Sequence, residues 1–484
     1  MVECRRVIVI GAGISGLVTA KVLREDGFDV RVLEQEPEIG GVWTPSRTYP
    51  GLRTNNSRDT YAYADHPYDA SADMFPTAAQ VREYLASYAT RFELNPVVSL
   101  STRVTEVVRH ESGFTVTVTG PDGPSELRCD FVVVCTGTYS EPEMPNIAGR
   151  GRFAGTVLHS SEATDPAMFG GKRVIVVGAG KSALDCAAWA AEHARDCTLV
   201  YRTPHWMAPR WFPGRTPADQ VMLGRMAELF MPYHRRNRVE RFLHGRGRVL
   251  PRIFWRTVEL VLRTLLRMPS ILIPEQRLPR GLENAGFTSE FYPLARSGRI
   301  GLRRTTIESF GPDTEVCLAD GDRLDADIVL FATGWRQTLP FLSSDLASEL
   351  LRDSGFRLYR HILPPTEPRL GFIGYASSTA CQLTSEISAH WLSQVFADEM
   401  KLPTVEEMDA EITRVHAWLA AEFPARAQGF YVGPHLTHHI DDLLTDMEVP
   451  TRRTRNTVTE YLGDFTPARY ADLTAQRRAR AAAK

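Results

Sequence analysis

The chain lacks a C-x-x-C pair: its seven cysteines, among them Cys4, Cys129, Cys135, Cys186 and Cys381, are scattered over 484 residues with no metal-ligand spacing. This excludes a reductase built on a cysteine pair, and no metal site is expected. An odd, dispersed set fits a reducing cytoplasm, the expected location. No apolar run approaches the ~20 residues of a membrane span. MVECRRVIVIGAG enters a strand-like run almost at once, which is read as leaving no space for a signal or transit segment. Neither charge sign prevails: 56 Lys and Arg face 58 Asp and Glu, so nothing pulls the whole chain toward nucleic acid or acidic membranes. Internal repeats are absent, and the one biased tract, AQRRARAAAK, reads as a frayed helical tail. A hydrophobic fraction of 43% over this length leaves room for two or three domains with sizeable cores.

What is present is a pair of glycine fingerprints about one domain apart. GAGISG runs from Gly11 to Gly16 and GAGKSA from Gly178 to Ala183, each directly after a Val/Ile run and each opening an Ala/Leu-rich stretch. The first glycine (Gly11, Gly178) permits a tight turn, and the second (Gly13, Gly180) lets backbone approach a pyrophosphate. The third position (Gly16, Ala183) keeps helix and strand close. Lys181 and Ser182 open the second helix, whose free N–H groups and positive dipole end face phosphate. Two dinucleotides are therefore expected on one polypeptide.

The strand after each fingerprint separates the two. FDVRVLEQ carries Glu34, placed to accept from ribose hydroxyls, which suits the unphosphorylated adenosine ribose of FAD. The same interval from Gly178 lands on Tyr201 and Arg202 with no acid. A guanidinium favours a 2′-phosphate that a carboxylate would repel, so the second site reads as one for NADPH. A solvated surface arginine is the alternative for Arg202.

The expected fold is α/β, with two Rossmann-like dinucleotide-binding domains, the NADPH domain inserted into a discontinuous FAD domain, and a helical insertion. Residues 1–150 form the first part of the FAD domain and 151–335 the NADPH domain, with the insertion at about 205–290. Residues 336–460 complete the FAD domain, and 461–484 form the tail. A helix is expected over Ala78 to Phe92, then strands VTEVVRH and FTVTVTG with a PDGPS turn. Pro142, Pro145 and the following glycines mark a crossing between domains. LGFIGYASSTACQLTSEISAHWL reads as a strand and helix returning to the first domain.

Between the fingerprints, RFAGTVLHS places Phe153, Gly155 and His159 as F-x-G-x-x-x-H. On this motif the chain resembles, over about residues 5 to 400, the flavin-containing monooxygenases, the class B flavoprotein family that includes the Baeyer–Villiger monooxygenases. Ala163 stands where the family has an aromatic four residues after the histidine. Gly41 and Trp43 of GGVW resemble the flavin-side glycine pair and tryptophan, and LRTNNS resembles the loop carrying an asparagine near the flavin. YADHPYD and FATGW match further family segments in order. Gln382, Leu383 and Thr384 of QLTSE resemble a helix start facing the flavin pyrimidine ring.

The resemblance implies FAD, NADPH, dioxygen and a small-molecule substrate, with a C4a-hydroperoxyflavin as oxygenating species. Asn55 is the implied catalytic donor to it, an amide being able to donate a hydrogen bond without supplying a proton. A turn-capping role for Asn55, and a structural role for His159 at the domain junction, stay open as alternatives. GGVWTPSRTYPGLRTN comes close to the Baeyer–Villiger pattern but has one extra spacer residue and Asn55 where Asp is expected. These departures point to oxygenation at nucleophilic nitrogen or sulfur. Baeyer–Villiger oxygenation of a ketone is the alternative, with Arg53, Arg58 and Arg210 available to support a deprotonated peroxide. A flavin-dependent NADPH oxidoreductase without oxygen insertion is the rival class.

From His205 to Arg280 the chain has fifteen arginines and no lysine against five acids, interleaved with aromatics such as Trp206, Trp211, Phe242 and Trp255. One reading is a helical subdomain in which RIFWRTVELVLRTLLRM buries Ile, Phe, Val and Leu and snorkels its arginines. A substrate-entry lid and a membrane-surface helix are the others. No nucleic-acid fold accompanies the arginines, so nucleic acid is not an expected partner. A homodimer and peripheral membrane contact stay open.

Overall fold

Alternation along RVIVI turns apolar side chains to both faces of one strand, so this strand must be covered twice. The computed structural model describes residues 5–288, 290–352, 355–426 and 431–482, and it does so. From strand β1 (Arg6–Ile10), Val7 and Val9 pack with Leu17 and Val18 of helix α1 (Ile14–Glu25) and with Ile387 and Trp391 of helix Cys381–Phe396. Ile8 and Ile10 enter a separate core on the opposite face. Each such buried side chain stabilises the fold by about 1.5–3 kcal/mol.

Strand β2 (Asp29–Leu33), helix α2 (Ala78–Arg91) and strand β3 (Val98–Ser99) follow. Thr77 and Gln80 start α2 with a reciprocal capping box. The antiparallel meander β4 (Arg103–His110), β5 (Gly113–Gly120) and β6 (Gly123–Cys129) supplies Val107, Phe114 and Val116 to the second core. Strand β7 (Phe131–Val134) pairs with β1. The chain returns to this sheet at Leu370–Phe372, giving the all-parallel order Leu370–Phe372, β7, β1, β2, β3.

A second all-parallel sheet has the order Gly301–Arg303, Asp196–Val200, Arg173–Val177, Ile328–Phe331, Thr156–His159. Helix α3 (Lys181–His193) covers one face. Phe153 and a three-stranded antiparallel unit carrying Phe310 and Val316 cover the other. The two segments that connect the sheets are joined to each other: Glu141–Pro142 pairs antiparallel with Trp335–Arg336.

The helical insertion leaves and rejoins the second sheet through a parallel bridge of Met207–Ala208 to Gly286–Phe287. Its longest helix, Val249–Leu266, departs from expectation. Pro251, Trp255, Glu259, Leu262 and Leu266 face inward, while Ile253 is 58% and Leu260 63% exposed. Positions 255, 259, 262 and 266 share one face at helical spacing, and 253 and 260 fall on another. The buried Glu259 carboxylate accepts from Arg256, Arg277 and the Leu278 N–H.

The insertion is seated on helix Leu436–Asp446 by charge. His438 lies between the buried Glu228 and Glu240, with Nε2 2.7 Å from Glu240 Oε1. The two carboxylates outweigh burial and push the His438 imidazole up to about 10. Arg225 pairs with Asp441 and, at 2.8 Å, with Glu460. The tail also departs from expectation, because helix Leu473–Ala481 is docked rather than frayed. Leu473 is buried, and Arg477, 3% exposed, pairs with Asp26 at 2.7 Å. No helix among the described residues is long and apolar enough to cross a membrane.

Candidate active site

Both fingerprints open into one cleft of about 1900 Å³. At the first, Gly11 has φ +106°, and a Cβ there would stand 2.8 Å from the Cys135 carbonyl oxygen. A Cβ on Gly16 would stand 1.8 Å from the Gly11 oxygen, so strand and helix approach only through glycine. Gly13 and Gly41 face each other: a Cβ on Gly41 would lie 3.1 Å from Gly13 Cα. Glu34, next to them, accepts from the Ala12 N–H at 2.7 Å and the Glu36 N–H at 3.0 Å. Burial raises its carboxyl above the usual range and the two N–H donors oppose the rise. Trp43 is buried edge-on to Tyr61 at 5.9 Å and lines the same cleft.

At the second fingerprint, Gly178 has φ +137° and leaves 2.5 Å between an added Cβ and the Ala332 oxygen. Ala183 is fully buried against it. Gly180 has nothing within 4 Å on its open side, which is the space an approaching phosphate needs. Ser182 and Arg202 line the cleft, Arg202 exposed and without an ion pair among the described residues. Tyr201 beside it is buried, its hydroxyl donating to the Ile271 oxygen at 3.1 Å. Lys181 also lines the cleft, but its ammonium pairs with Asp185 and lies 3.5 Å from the Tyr49 hydroxyl.

Asn55 stands on a loop held from both sides. Tyr49 donates to Asp185 of α3 at 2.9 Å. Ser57 donates to Asp219 of the insertion at 2.7 Å, and Thr60 donates to the same oxygen. The turn itself is closed by Thr54 Oγ1 donating to the Asn56 carbonyl at 2.7 Å. The Asn55 amide therefore does not cap it: Asn55 lines the cleft, with Oδ1 buried and lacking a hydrogen-bond partner. A buried, unpartnered amide oxygen costs stability unless something polar meets it.

The remaining candidates divide. Thr384 lines the cleft, whereas Gln382 and Leu383 are completely buried and do not. The helix beginning at Cys381 turns their side chains into the core, so only first-turn N–H groups of these two residues are in a position to serve the cleft. Phe153, Gly155 and His159 lie outside it. A Cβ on Gly155 would collide with the Phe153 ring at 2.6 Å. His159, 1% exposed, donates from Nε2 to the Gly334 oxygen at 3.1 Å and accepts at Nδ1 from the Ser161 N–H at 3.2 Å. Burial lowers its pKa, opposed by the Gly334 carbonyl and Glu162, and its two ring nitrogens tie the segment after Thr156–His159 to the chain at Gly334.

Of the three arginines considered from sequence, Arg58 holds the carbonyls of Ala70 and Ala72, and Arg210 pairs with Glu290 at 2.8 Å. Neither lines the cleft. Arg53 does, paired with Asp73 at 2.6 Å. Sequence reasoning passed over Arg47, a cleft-lining guanidinium 5.0 Å from the Trp335 ring centroid that donates to the Tyr139 oxygen. It also passed over Asp185 and Asp219, whose only sequence signal is the Lys181–Asp185 spacing of four. The described cysteines are all free, and burial pushes the Cys135 thiol up to about 12 and that of Cys381 up to about 11. Dithiol chemistry has no support in the cleft.

Two parallel sheets, each presenting a glycine turn and a helix start to one shared cleft, define a two-dinucleotide-domain enzyme of the flavoprotein type. The flavin-binding monooxygenase-like family model matches residues 4–245 and 296–449, and the chain belongs to that family. Among curated relatives, a probable flavin-containing monooxygenase of Arabidopsis thaliana is 28% identical over 527 residues, covering 95% of each chain. A putative N-oxide-forming dimethylaniline monooxygenase of Homo sapiens is 27% identical, covering 84% of this chain and 75% of its own. Among solved structures, an oxidized steroid monooxygenase bound to NADP superposes with TM-score 0.68 at 22% identity, over 92% of this chain and 98% of its own.

Proposed function

We propose that this protein is an NADPH-dependent monooxygenase that uses FAD to insert one oxygen atom into a nucleophilic nitrogen or sulfur of a small organic substrate. Substrate, O2, NADPH and a proton yield the N- or S-oxide, NADP⁺ and water. Gly11, Gly13, Gly16, Glu34, Gly41 and Trp43 would hold FAD, with Thr384 and the first-turn N–H groups at Gln382 and Leu383. Gly178, Gly180, Ser182, Ala183 and Arg202 would hold NADPH. Lys181, neutralised by Asp185, would place rather than charge that site. When bound, the flavin supplies hydride acceptance and the transfer of oxygen from O2 to substrate.

The observation that carries the reading is the placement of Asn55 in the cleft, with its buried Oδ1 unpartnered, on a loop fixed by Asp185 on one side and Asp219 on the other. A fixed amide orients a polar group by hydrogen bonding without giving up a proton, and a rigid loop does so without reorganisation. Trp255, Val258 and Leu262 of the insertion line the cleft, where their apolar side chains would exclude water. The binding of Arg58 and Arg210 elsewhere supports the heteroatom reading, as does the N-oxide-forming human relative. Two observations favour the Baeyer–Villiger alternative, namely Arg47 and Arg53 in the cleft, the latter paired with Asp73.

Incubation with NADPH, O2 and a tertiary amine, a thioether or a cyclic ketone tests the proposal, with product and hydrogen peroxide measured per NADPH consumed. An N-oxide or sulfoxide with substoichiometric peroxide is expected, and Asn55→Ala should shift consumption toward peroxide. Ester formation from the ketone, abolished by Arg47→Gln, would replace the heteroatom reading. Stoichiometric peroxide with every substrate would refute oxygen insertion.

A further inference from the structure

We propose that a polar stripe buried along helix Cys381–Phe396 carries protons from solvent at Asp65 to the cleft, with Glu386 as the group that holds the proton in transit. This rests on the NADPH-dependent reading above, in which each turnover consumes one proton. The nicotinamide supplies hydride, and the second hydrogen of the water formed comes from solvent.

Gln382, Glu386, His390 and Gln394 recur at every fourth position of this helix, so their side chains form one longitudinal line with Cβ atoms about 6 Å apart. All four are buried, where a core helix is ordinarily apolar. Gln382 Nε2, His390 Nδ1 and Gln394 Oε1 have no hydrogen-bond partner, and neither do Asp65 Oδ1 and Tyr88 Oη close to Glu386. One buried orphan costs stability; a row of them is tolerable when water completes the hydrogen bonds, and a row completed by water conducts protons.

The charges around Glu386 favour a proton on it. Lys21 of α1 commits its ammonium to Asp65 at 2.8 Å and to Glu25 at 3.2 Å. Those two carboxylates already outnumber the one cation, so a third negative charge in the core is unfavourable. Glu386, the deepest of the three acids, receives the Ala64 N–H at 2.7 Å. Tyr63 of the adjoining loop and Tyr84 and Tyr88 of α2 are the other titratable groups that face it, all kept neutral by burial. Burial pushes the Glu386 carboxyl well above the usual range, and Asp65 and Glu25 add to the rise against the Ala64 N–H and Lys21.

The stripe has one end at the cleft, one outlet and one closed end. At the cleft, Gln382 Oε1 is 3.4 Å from Cys381 Sγ, which is 3.6 Å from the Tyr61 hydroxyl, and both Cys381 and Tyr61 line the cleft. The outlet is Asp65, one oxygen buried and unpartnered while its side chain is 23% exposed. Beyond His390 the line stops at Arg477, which donates to the His390 carbonyl under the tail helix. Burial, Arg477, Lys21 and Arg478 all lower the His390 pKa, so that end does not admit a proton. In the transfer the O–H bond of Glu386 breaks and its electron pair stays on the carboxylate. The proton passes over water at Gln382 into the cleft, and Asp65 hands a solvent proton back to Glu386.

Infrared difference spectra of the oxidised holoprotein without turnover, acidic against alkaline, give the first test. A protonated-carboxyl band that shifts in D2O and titrates above the usual carboxylate range is expected. Glu386→Gln should remove it while keeping an oxygen for the Ala64 N–H. The second test follows proton uptake per NADPH oxidised with a pH-indicator dye. Glu386→Gln should lower kcat by about tenfold or more, raise the solvent deuterium isotope effect on it and remove the alkaline fall of its pH profile, with KM for NADPH unchanged. Asp65→Asn should keep the infrared band and slow proton uptake. A band that survives Glu386→Gln, or wild-type proton uptake and pH profile in both variants, would overturn the proposal. If Glu386→Gln loses its flavin, Asp65→Asn decides, and wild-type proton uptake in it would overturn the proposal. Peroxide release also takes up one proton, since NADPH, O2 and H⁺ give NADP⁺ and hydrogen peroxide. Stoichiometric peroxide with every substrate, with uptake still slowed in both variants, would therefore refute oxygen insertion and uphold the proton path.

Discussion

Asp219 offers the sharpest test of how the loop bearing Asn55 is held. Its side chain is fully buried, one carboxylate oxygen accepts from Ser57 and Thr60, and the other has no partner. Asp219→Ala removes the acceptor of two buried hydroxyls. At about 1–3 kcal/mol for each donor left unpaired, the cost is about 2–6 kcal/mol, concentrated where the insertion meets the loop. Asp219→Asn should behave differently. Burial raises the Asp219 carboxyl above the usual carboxylate range, more than the two hydroxyl donors lower it. A raised carboxyl pKa means that the neutral form fits the fold better. Its stabilising effect is complete below the unfolded pKa of about 3.9 and is lost as pH rises through the folded value. Asparagine is neutral throughout and keeps one acceptor oxygen, so at pH 7 to 8 it should cost less than ~1 kcal/mol. The assays are urea unfolding of the holoprotein and peroxide released per NADPH consumed. Asp219→Ala should lower the first and raise the second, while Asp219→Asn leaves both near wild type. An alanine variant with an unchanged urea midpoint and an unchanged peroxide ratio would show that the insertion does not position the Asn55 loop.

Arg202→Gln should raise KM for NADPH by about ten- to a hundredfold, as expected from losing a charge-assisted contact of about 1.5–3 kcal/mol, and leave KM for NADH nearly unchanged. An intact preference for NADPH would remove Arg202 from the phosphate site. Seating of the insertion should depend on alkaline pH through His438, whose pKa is raised to about 10 by Glu228 and Glu240 despite burial. That contribution is complete below the unfolded pKa of about 6.5 and is lost as pH rises through the folded value. Limited proteolysis within residues 205–290 should therefore accelerate toward pH 10 in the wild type. It should be fast and flat with pH in His438→Gln, and equal pH profiles for the two would refute the assignment.

The glycine turns were legible in the sequence because their signature is a short contiguous pattern after a Val/Ile run, even though an added Cβ at Gly11 or Gly178 meets backbone at the end of a distant strand and only at Gly16 that of the turn itself. The two-sheet architecture was legible for a related reason, since Val/Ile runs buried on both faces permit little but parallel strands between helices. The contacts that hold Asn55 were not. Tyr49 and Asp185 are 136 residues apart, and Ser57 and Asp219 are 162 apart, so nothing in local pattern links them. Ile253 was misplaced because apolar character alone was taken to mean burial; the inward strip of its helix includes Glu259, a charged residue made tolerable by two arginines. The tail was misread because its arginines resemble solvated charges until Asp26 is found beneath one of them.

The antiparallel pairing of Glu141–Pro142 with Trp335–Arg336 brings the entrance and exit of the inserted half side by side. A module joined to its host at adjacent points imposes no span on it, which is the geometry of a cassette. Residues between these points could be excised and the gap closed with a short turn without stretching the host sheet, whose fifth strand, Leu370–Phe372, is reached only after the chain has rejoined its host. The two crossings also act as a single strap. A rotation of one half on the other would have to bend both strands about one shared axis, so domain closure would follow one path instead of many.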